Sequence, residues 1–294
     1  MNAEQVRLKP LKPALSGYVR EARRLLADKP GPGDRAVHDV RVLMKKARAV
    51  LKLVANQLPR YDTGRDIEAL REVGRKMCLW RESAVMRKHF RQLKREFPAI
   101  FSRLEGNEKI TSLLTAPDSY SGIDASIQSE LGSIKELLRK AEYRIRFMPM
   151  NRLDPRQLID ELESSYLRVS DIYLSCRNDP KTRKLHEFRK RSKDLMYQLS
   201  FFRPLNPDAV RTQEKRIDII ASNLGRYNDL AQIIRAIEYR YERGINPPAL
   251  DELIVRIREK QDGYLQKAWP GAMKVFRSGQ YFINLPQLRM LVST

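Results

Sequence analysis

The chain has 294 residues, and 42% of them are hydrophobic, enough to bury a core; that excludes general disorder. Lys and Arg number 57 against 36 Asp and Glu, a net charge of +21 that points to polyanions, acidic lipid surfaces or acidic proteins as partners. No apolar run approaches the roughly 18 residues of a membrane span, the N-terminus has no apolar leader core, and the only cysteines are Cys78 and Cys176, so a soluble, cytoplasmic protein with reduced thiols is expected.

Apolar residues recur at three- and four-residue spacing almost throughout, and alternating strand patterns are nearly absent. The first predicted helix covers 10–27. The loop "DKPGPGD" (28–34) follows, with Asp34 as the expected N-cap of a second helix over 36–57. A third runs over 63–96. After the loop "TAPDSYSGID" (115–124), a fourth covers 123–146. "FMPMNRLDP" (147–155) then places Asp154 and Pro155 at a helix start. Helices over 155–177, 181–203, 207–242 and 248–276 complete the chain. The fold class is all-α. Eight helices fall into two sets of four, predicting two four-helix bundles, residues 1–150 and 151–294.

The two sets carry related sequences. "VHDVRVLMKKA" (37–47) matches "LHEFRKRSKDL" (185–195) in the order apolar, His, acid, apolar, Arg, with Lys seven positions after the His; the offset is 148. "MCLWRESAV" (77–85) matches "LGRYNDLAQ" (224–232), with Glu82 and Asp229 aligned at an offset of 147. Two matches at nearly one offset predict an internal duplication.

At about 100° per residue, His38, Arg41, Lys45, Arg48 and Lys52 fall within about 80° of one another. Val40, Leu43, Ala47, Val50, Leu51 and Val54 lie on the other side. The second copy aligns His186, Arg189 and Lys193, with Lys190 to one side. A solvated face mixes signs for i,i+4 pairing, whereas this stripe carries no acid and recurs with the same head group. Arg forks phosphate oxygens, Lys adds a mobile point charge, and a protonated His donates from both ring nitrogens. Such a row suits a line of phosphates and offers nothing to read bases.

The two His motifs, each followed about forty residues later by "LWRESAVM" or "LGRYNDLAQI", resemble the CHAD family, the conserved-histidine α-helical domain. The second copy is near the family's Leu-Gly then Arg/Asn-Asp pattern; the first has Met77-Cys78 where Leu-Gly is expected. The resemblance implies two four-helix bundles related by a pseudo-two-fold axis. It also implies binding of inorganic polyphosphate in a basic channel between them, and association with polyphosphate granules. Carried over by position, the contacts are His38, Arg41, Lys45 and Arg48 in one half, and His186, Arg189, Lys190 and Lys193 in the other; Lys52 extends the first stripe. Glu82 and Asp229 are expected to orient basic side chains rather than to catalyse. Arg71, Arg75, Arg81, Arg226, Lys215, Lys274 and Arg277 are candidates for extending the channel.

Other classes find less support. His89 has no counterpart in the repeat and is expected to be incidental. Three histidines without a Cys or acid at ligand spacing predict no metal site, and no cofactor is implied. No Gly-x4-Gly-Lys-Ser/Thr loop is present, nor the Glu-x-Glu-x-Lys strand of the triphosphatase domains often joined to CHAD domains. Trp80, Trp269 and the tyrosines are expected in the core rather than in an exposed stacking ladder. A hydrolase of phosphoanhydrides would need carboxylates on the basic face for a metal, so no enzyme is expected. The alternative is a helical nucleic-acid-binding protein using backbone contacts. Against it, a deep basic groove between two bundles would admit a thin phosphate chain and exclude a duplex.

Overall fold

The computed structural model describes residues 8–27, 33–58, 61–107, 125–240 and 247–277, without the side chains of 79–85, 125–127 and 240. Among the described residues the structure is all-α. Its helices are α1 (Leu11–Leu25), α2 (Asp34–Val54), α3 (Thr63–Lys76), α4 (Cys78–Glu96), α5 (Pro98–Arg103), α6 (Ala125–Phe147), α7 (Pro155–Asn178), α8 (Thr182–Leu199), α9 (Pro207–Arg240) and α10 (Pro248–Phe276). Short 3₁₀ turns extend α2 over Ala55–Gln57 and α8 over Ser200–Phe202.

Most boundaries follow local chemistry. Asp154 caps α7 by accepting from the Arg156 amide at 2.8 Å, and Pro155 takes the first helical position. Gly33, not Asp34, is the cap of α2; Asp34 sits in the first turn, where its charge favours the helix N-terminus. The third predicted helix, 63–96, is two helices. Met77 leaves helical geometry with ψ near 1°, and its amide bonds back to Val73, so α3 closes and α4 departs in a new direction. Pro98 then restricts Phe97 to φ −123°, which ends α4 and starts α5.

Helices α1, α2, α3 and α6 close one ring of contacts, and α7, α8, α9 and α10 close a second. The rings meet where α2 packs on α8. Their interiors merge into one core running from Leu11 to Phe276, so the chain on either side of residue 150 shares it. Its aromatic part joins Tyr173, Phe188, Phe276 and Trp269, whose rings lie 5.5–6.5 Å apart. Asp66, fully buried, is held by Arg144 at 2.5 Å and by the Tyr61 hydroxyl at 2.9 Å, which ties α3 to α6.

A second core stands apart. Phe90, Leu93, Ile100, Phe101 and Leu104 from α4, α5 and the turn after it pack on Leu230–Ile237 of α9 and Ala249–Ile257 of α10. The break at Met77 is what carries α4 across to the other ring.

Candidate functional site

The apolar back predicted for α2 is its packed face: Val40, Ala47, Val50, Leu51 and Val54 are buried and Leu43 packs against the core. The stripe is thereby left toward the surface, with Arg41, Lys45, Arg48 and Lys52 half-buried and His38 exposed. The same pattern holds on α8, where Leu185, Phe188 and Leu195 are buried, Lys190 is exposed, Arg189 and Lys193 are half-buried, and His186 keeps an open edge while neighbouring atoms crowd the rest of its ring.

The two stripe helices pack on each other antiparallel. Lys52 bonds Asp194 and Gln198 donates to the Ala49 carbonyl at 3.3 Å, so the pairing runs in opposite order along the two chains. The His-headed ends point away from the contact, and the two stripes meet at their other ends.

The two stripe arginines are anchored alike. Arg41 Nη1 donates to the Gly74 carbonyl of α3 at 2.5 Å, and Arg189 Nε donates to the Ala221 carbonyl of α9 at 3.1 Å. Positions 74 and 221 differ by 147, the offset of the sequence repeat. Beside Arg189 lies Gly225, where a Cβ would come 2.9 Å from Arg189 Nε. The glycine of "LGRYND" is therefore room for a guanidinium. Three positions on, the Asn228 side chain bonds His186. Asp229 lies 3.4 Å from Nε2 of His89, so the histidine expected to be incidental joins α4 to α9. Its partner is invisible in sequence because 140 residues separate them.

The charge balance of the stripes differs from the sequence reading, in which they carry no acid. Neighbouring turns and helices supply carboxylates: Asp194 on Lys52, Asp218 of α9 on Lys193 at 2.6 Å, and Glu187 on Lys190 at 3.2 Å. Where acids are sparse, cations press on one another. Burial, with Arg71 and Arg41 nearby, pulls the Arg48 pKa down, while Asp194 and Glu68 oppose the shift. Burial chiefly, then Arg189 and Lys190, holds the His186 imidazole below its ordinary value.

Lys46, which the helical wheel sets off the stripe, was missed. Burial, then Lys9, Lys193 and Arg203, lowers its pKa, so it belongs to a cation cluster drawn from four segments where the stripes meet. Its ammonium lies 5.8 Å from the Tyr18 ring. Nearby, burial pushes the Tyr197 phenol up to about 12, leaving a neutral hydroxyl beside Lys193. The available signal was the Lys45-Lys46 doublet.

The remaining candidates scatter. Arg71 and Arg75 form exposed pairs with Glu68 and Glu72 one turn away. Lys215 is exposed. Arg226 stacks 5.7 Å from the Tyr264 ring, close to His89 and Lys260. Lys274 and Arg277 line a separate cleft of about 260 Å³ with Arg216. On α9, Arg216 points opposite to Asp218, Ala221 and Gly225, the residues that meet α8. The side chains of Trp80, Arg81 and Glu82 lie outside the described residues. Among the described residues no cluster of His, Cys, Asp and Glu could hold a metal, and no helix is long and apolar enough to cross a membrane.

Chemically, the arrangement gathers fixed and mobile cations, an imidazole and a phenol along two joined helices. No curated protein matches the chain. A structure of the CHAD domain from the plant Ricinus communis matches it with a TM-score of 0.52 at 15% identity, covering 99% of this chain and 96% of that one. The CHAD domain family model matches residues 12–238, most of the chain. With its paired His-headed helices and a matching family model over that span, the chain belongs to the CHAD domain family.

Proposed function

We propose that this chain binds inorganic polyphosphate without catalysing its turnover, along a basic path formed by the outward faces of α2 and α8, and that it serves at polyphosphate granules. The observation that carries this reading is the antiparallel contact of the two stripe helices. End to end they offer about 30 Å of helix, from His38 to the contact and back out to His186, at about 1.5 Å per residue. A linear polyanion engages such a path by releasing counterions and by charge-assisted hydrogen bonds to Arg41, Lys45, Arg48, Arg189 and Lys193. Lys46 and Arg203 supply charge where the stripes meet. Lys52, Lys190 and Lys193 contribute less until the polymer displaces the carboxylate that each already holds. Among the described residues no aromatic stacking ladder lines this path, which favours a phosphate chain over single-stranded nucleic acid.

The test is a competition at about physiological salt. Long-chain polyphosphate is bound, then challenged with RNA and duplex DNA at equal phosphate concentration, beside a variant with Arg41, Lys45, Arg189 and Lys193 changed to Ala. The reading expects polyphosphate to win by a wide margin and the variant to lose it. Equal competition by nucleic acid with a barely affected variant overturns it.

A further inference from the structure

A second basic face lies between α1 and α6, across the first ring from the seam of α2 and α3 where Arg41 is held. The two helices run antiparallel: Lys135 donates to the Ala27 carbonyl at 3.4 Å, Arg23 bonds Glu142, and Lys12 donates to the Met148 carbonyl at 2.8 Å. Between them opens a cleft of about 500 Å³. Arg20, Arg23, Arg24, Lys135 and Arg139 line it against one carboxylate, Glu136, and no residue of the two stripes reaches it. Gly132 keeps it open, since a Cβ there would meet nothing. Glu21 and Glu142 add acids from the same two helices, yet the cations stay in excess. Lys135 holds no carboxylate among the described residues, and Arg20 comes only within 3.8 Å of Glu142. Arg24 with Glu21 and Arg139 with Glu136 are exposed pairs, which contribute little and yield readily to a phosphate.

Aromatic surface continues this face. On the helical wheel of α6, Arg139, Tyr143, Arg146 and Phe147 fall within about 100° of one another. Tyr143, expected in the core from its spacing, is 65% exposed, and Phe147 is 64% exposed. Their rings lie 5.1 Å apart and tilted, and the Arg146 guanidinium sits 5.9 Å from the Phe147 ring. The basic path lacks this combination. From Gly132 to Phe147 the face runs about 22 Å along α6, at about 1.5 Å per residue.

We propose that the α1–α6 face is a second binding site, separate from the basic path, for single-stranded nucleic acid. Its phosphates would lie along Arg20, Arg23, Lys135 and Arg139, and unpaired bases would stack on Tyr143 and Phe147. A polyphosphate chain has no bases to use the rings, a duplex keeps its bases stacked on one another, and a flat bilayer does not follow a cleft.

The experiment follows the anisotropy of a labelled single-stranded RNA of about 12 nucleotides at about physiological salt. The same backbone without bases, the annealed duplex, and vesicles containing phosphatidylserine serve as controls. Three variants run beside the parent: Tyr143→Ala with Phe147→Ala, Arg20→Ala with Lys135→Ala, and the stripe variant of Arg41, Lys45, Arg189 and Lys193. Melting curves report folding in each, so the outcome does not depend on the polyphosphate reading. The single strand is expected to bind the parent and the stripe variant alike. Loss of the two rings should weaken it about tenfold, as should loss of Arg20 and Lys135, while polyphosphate binding stays unchanged in both. Equal binding of the baseless backbone or the duplex, or an unchanged affinity in the aromatic variant, overturns the proposal. Loss of RNA binding in a folded stripe variant overturns it too, because the RNA then lies on the basic path. So does binding of the vesicles alone, which would mark a membrane-facing surface.

Discussion

Gly225 and His186 show how single positions prepare the stripe of α8. Adding a methyl at 225 places a Cβ 2.9 Å from Arg189 Nε, so the guanidinium must leave the Ala221 carbonyl. Alanine is the better helix former by about 1 kcal/mol, so Gly225→Ala is expected to leave stability nearly unchanged while weakening polyphosphate binding about tenfold. Parallel melting and titration curves check this; a joint loss of both would mean the glycine serves packing alone. His186 makes an opposed pair of pH effects. Its folded pKa lies below the ordinary value, so the unfolded chain binds more protons in the histidine range. The free protein therefore loses the neutral imidazole's contribution as pH falls from the ordinary histidine value through the lowered one. A bound polyanion favours the imidazolium, so affinity rises as pH falls. Titrations at fixed salt from pH 8 to pH 5.5 should show most of the gain below about pH 6.5, the ordinary histidine value. In His186→Gln the gain should shrink.

At the scale of helices, the stripe is tuned by what packs beside it. Asp218 reaches Lys193 from α9 and is itself more than half exposed, so Asp218→Asn should leave the fold intact and tighten polyphosphate binding a few-fold. Unchanged affinity would show that the pair opens at no cost when the polymer arrives. On α4, Phe90 is fully buried in the second core, so Phe90→Ala is expected to cost about 3–5 kcal/mol, read as a shift in denaturant midpoint. The helices themselves were legible, because apolar spacing marks a packed face wherever a helix lies, and so was the stripe of α2, because its back is a continuous apolar strip. The break at Met77 was not, since the apolar spacing continues through it and the change of direction answers to a partner 150 residues away. Asp218, Lys46 and the His89 partner of Asp229 escaped for the same reason: each takes its role from a residue on another helix.

At the scale of the whole molecule, a net charge of +21 weakens the free fold by self-repulsion, and a bound polyanion would relieve it. Saturating polyphosphate should raise Tm, and the affinity should fall steeply and linearly on a logarithmic salt axis, as counterion release requires. A flat salt dependence would exclude the basic path as the binding surface. The crossing of α4 has a different consequence, in time rather than in energy. Phe90, Leu93, Ile100, Phe101 and Leu104 have no surface to close on until Leu230–Ile237 of α9 have been made, and the cluster is complete only with Leu253 and Ile257 of α10. At a synthesis rate of about 5–20 residues per second, that wait is on the order of 10–30 seconds. Throughout it, the nascent N-terminal half carries a sticky aromatic flank on the ribosome. Holding factors that shield such flanks should therefore engage this chain early in its synthesis and let go only as α10 emerges.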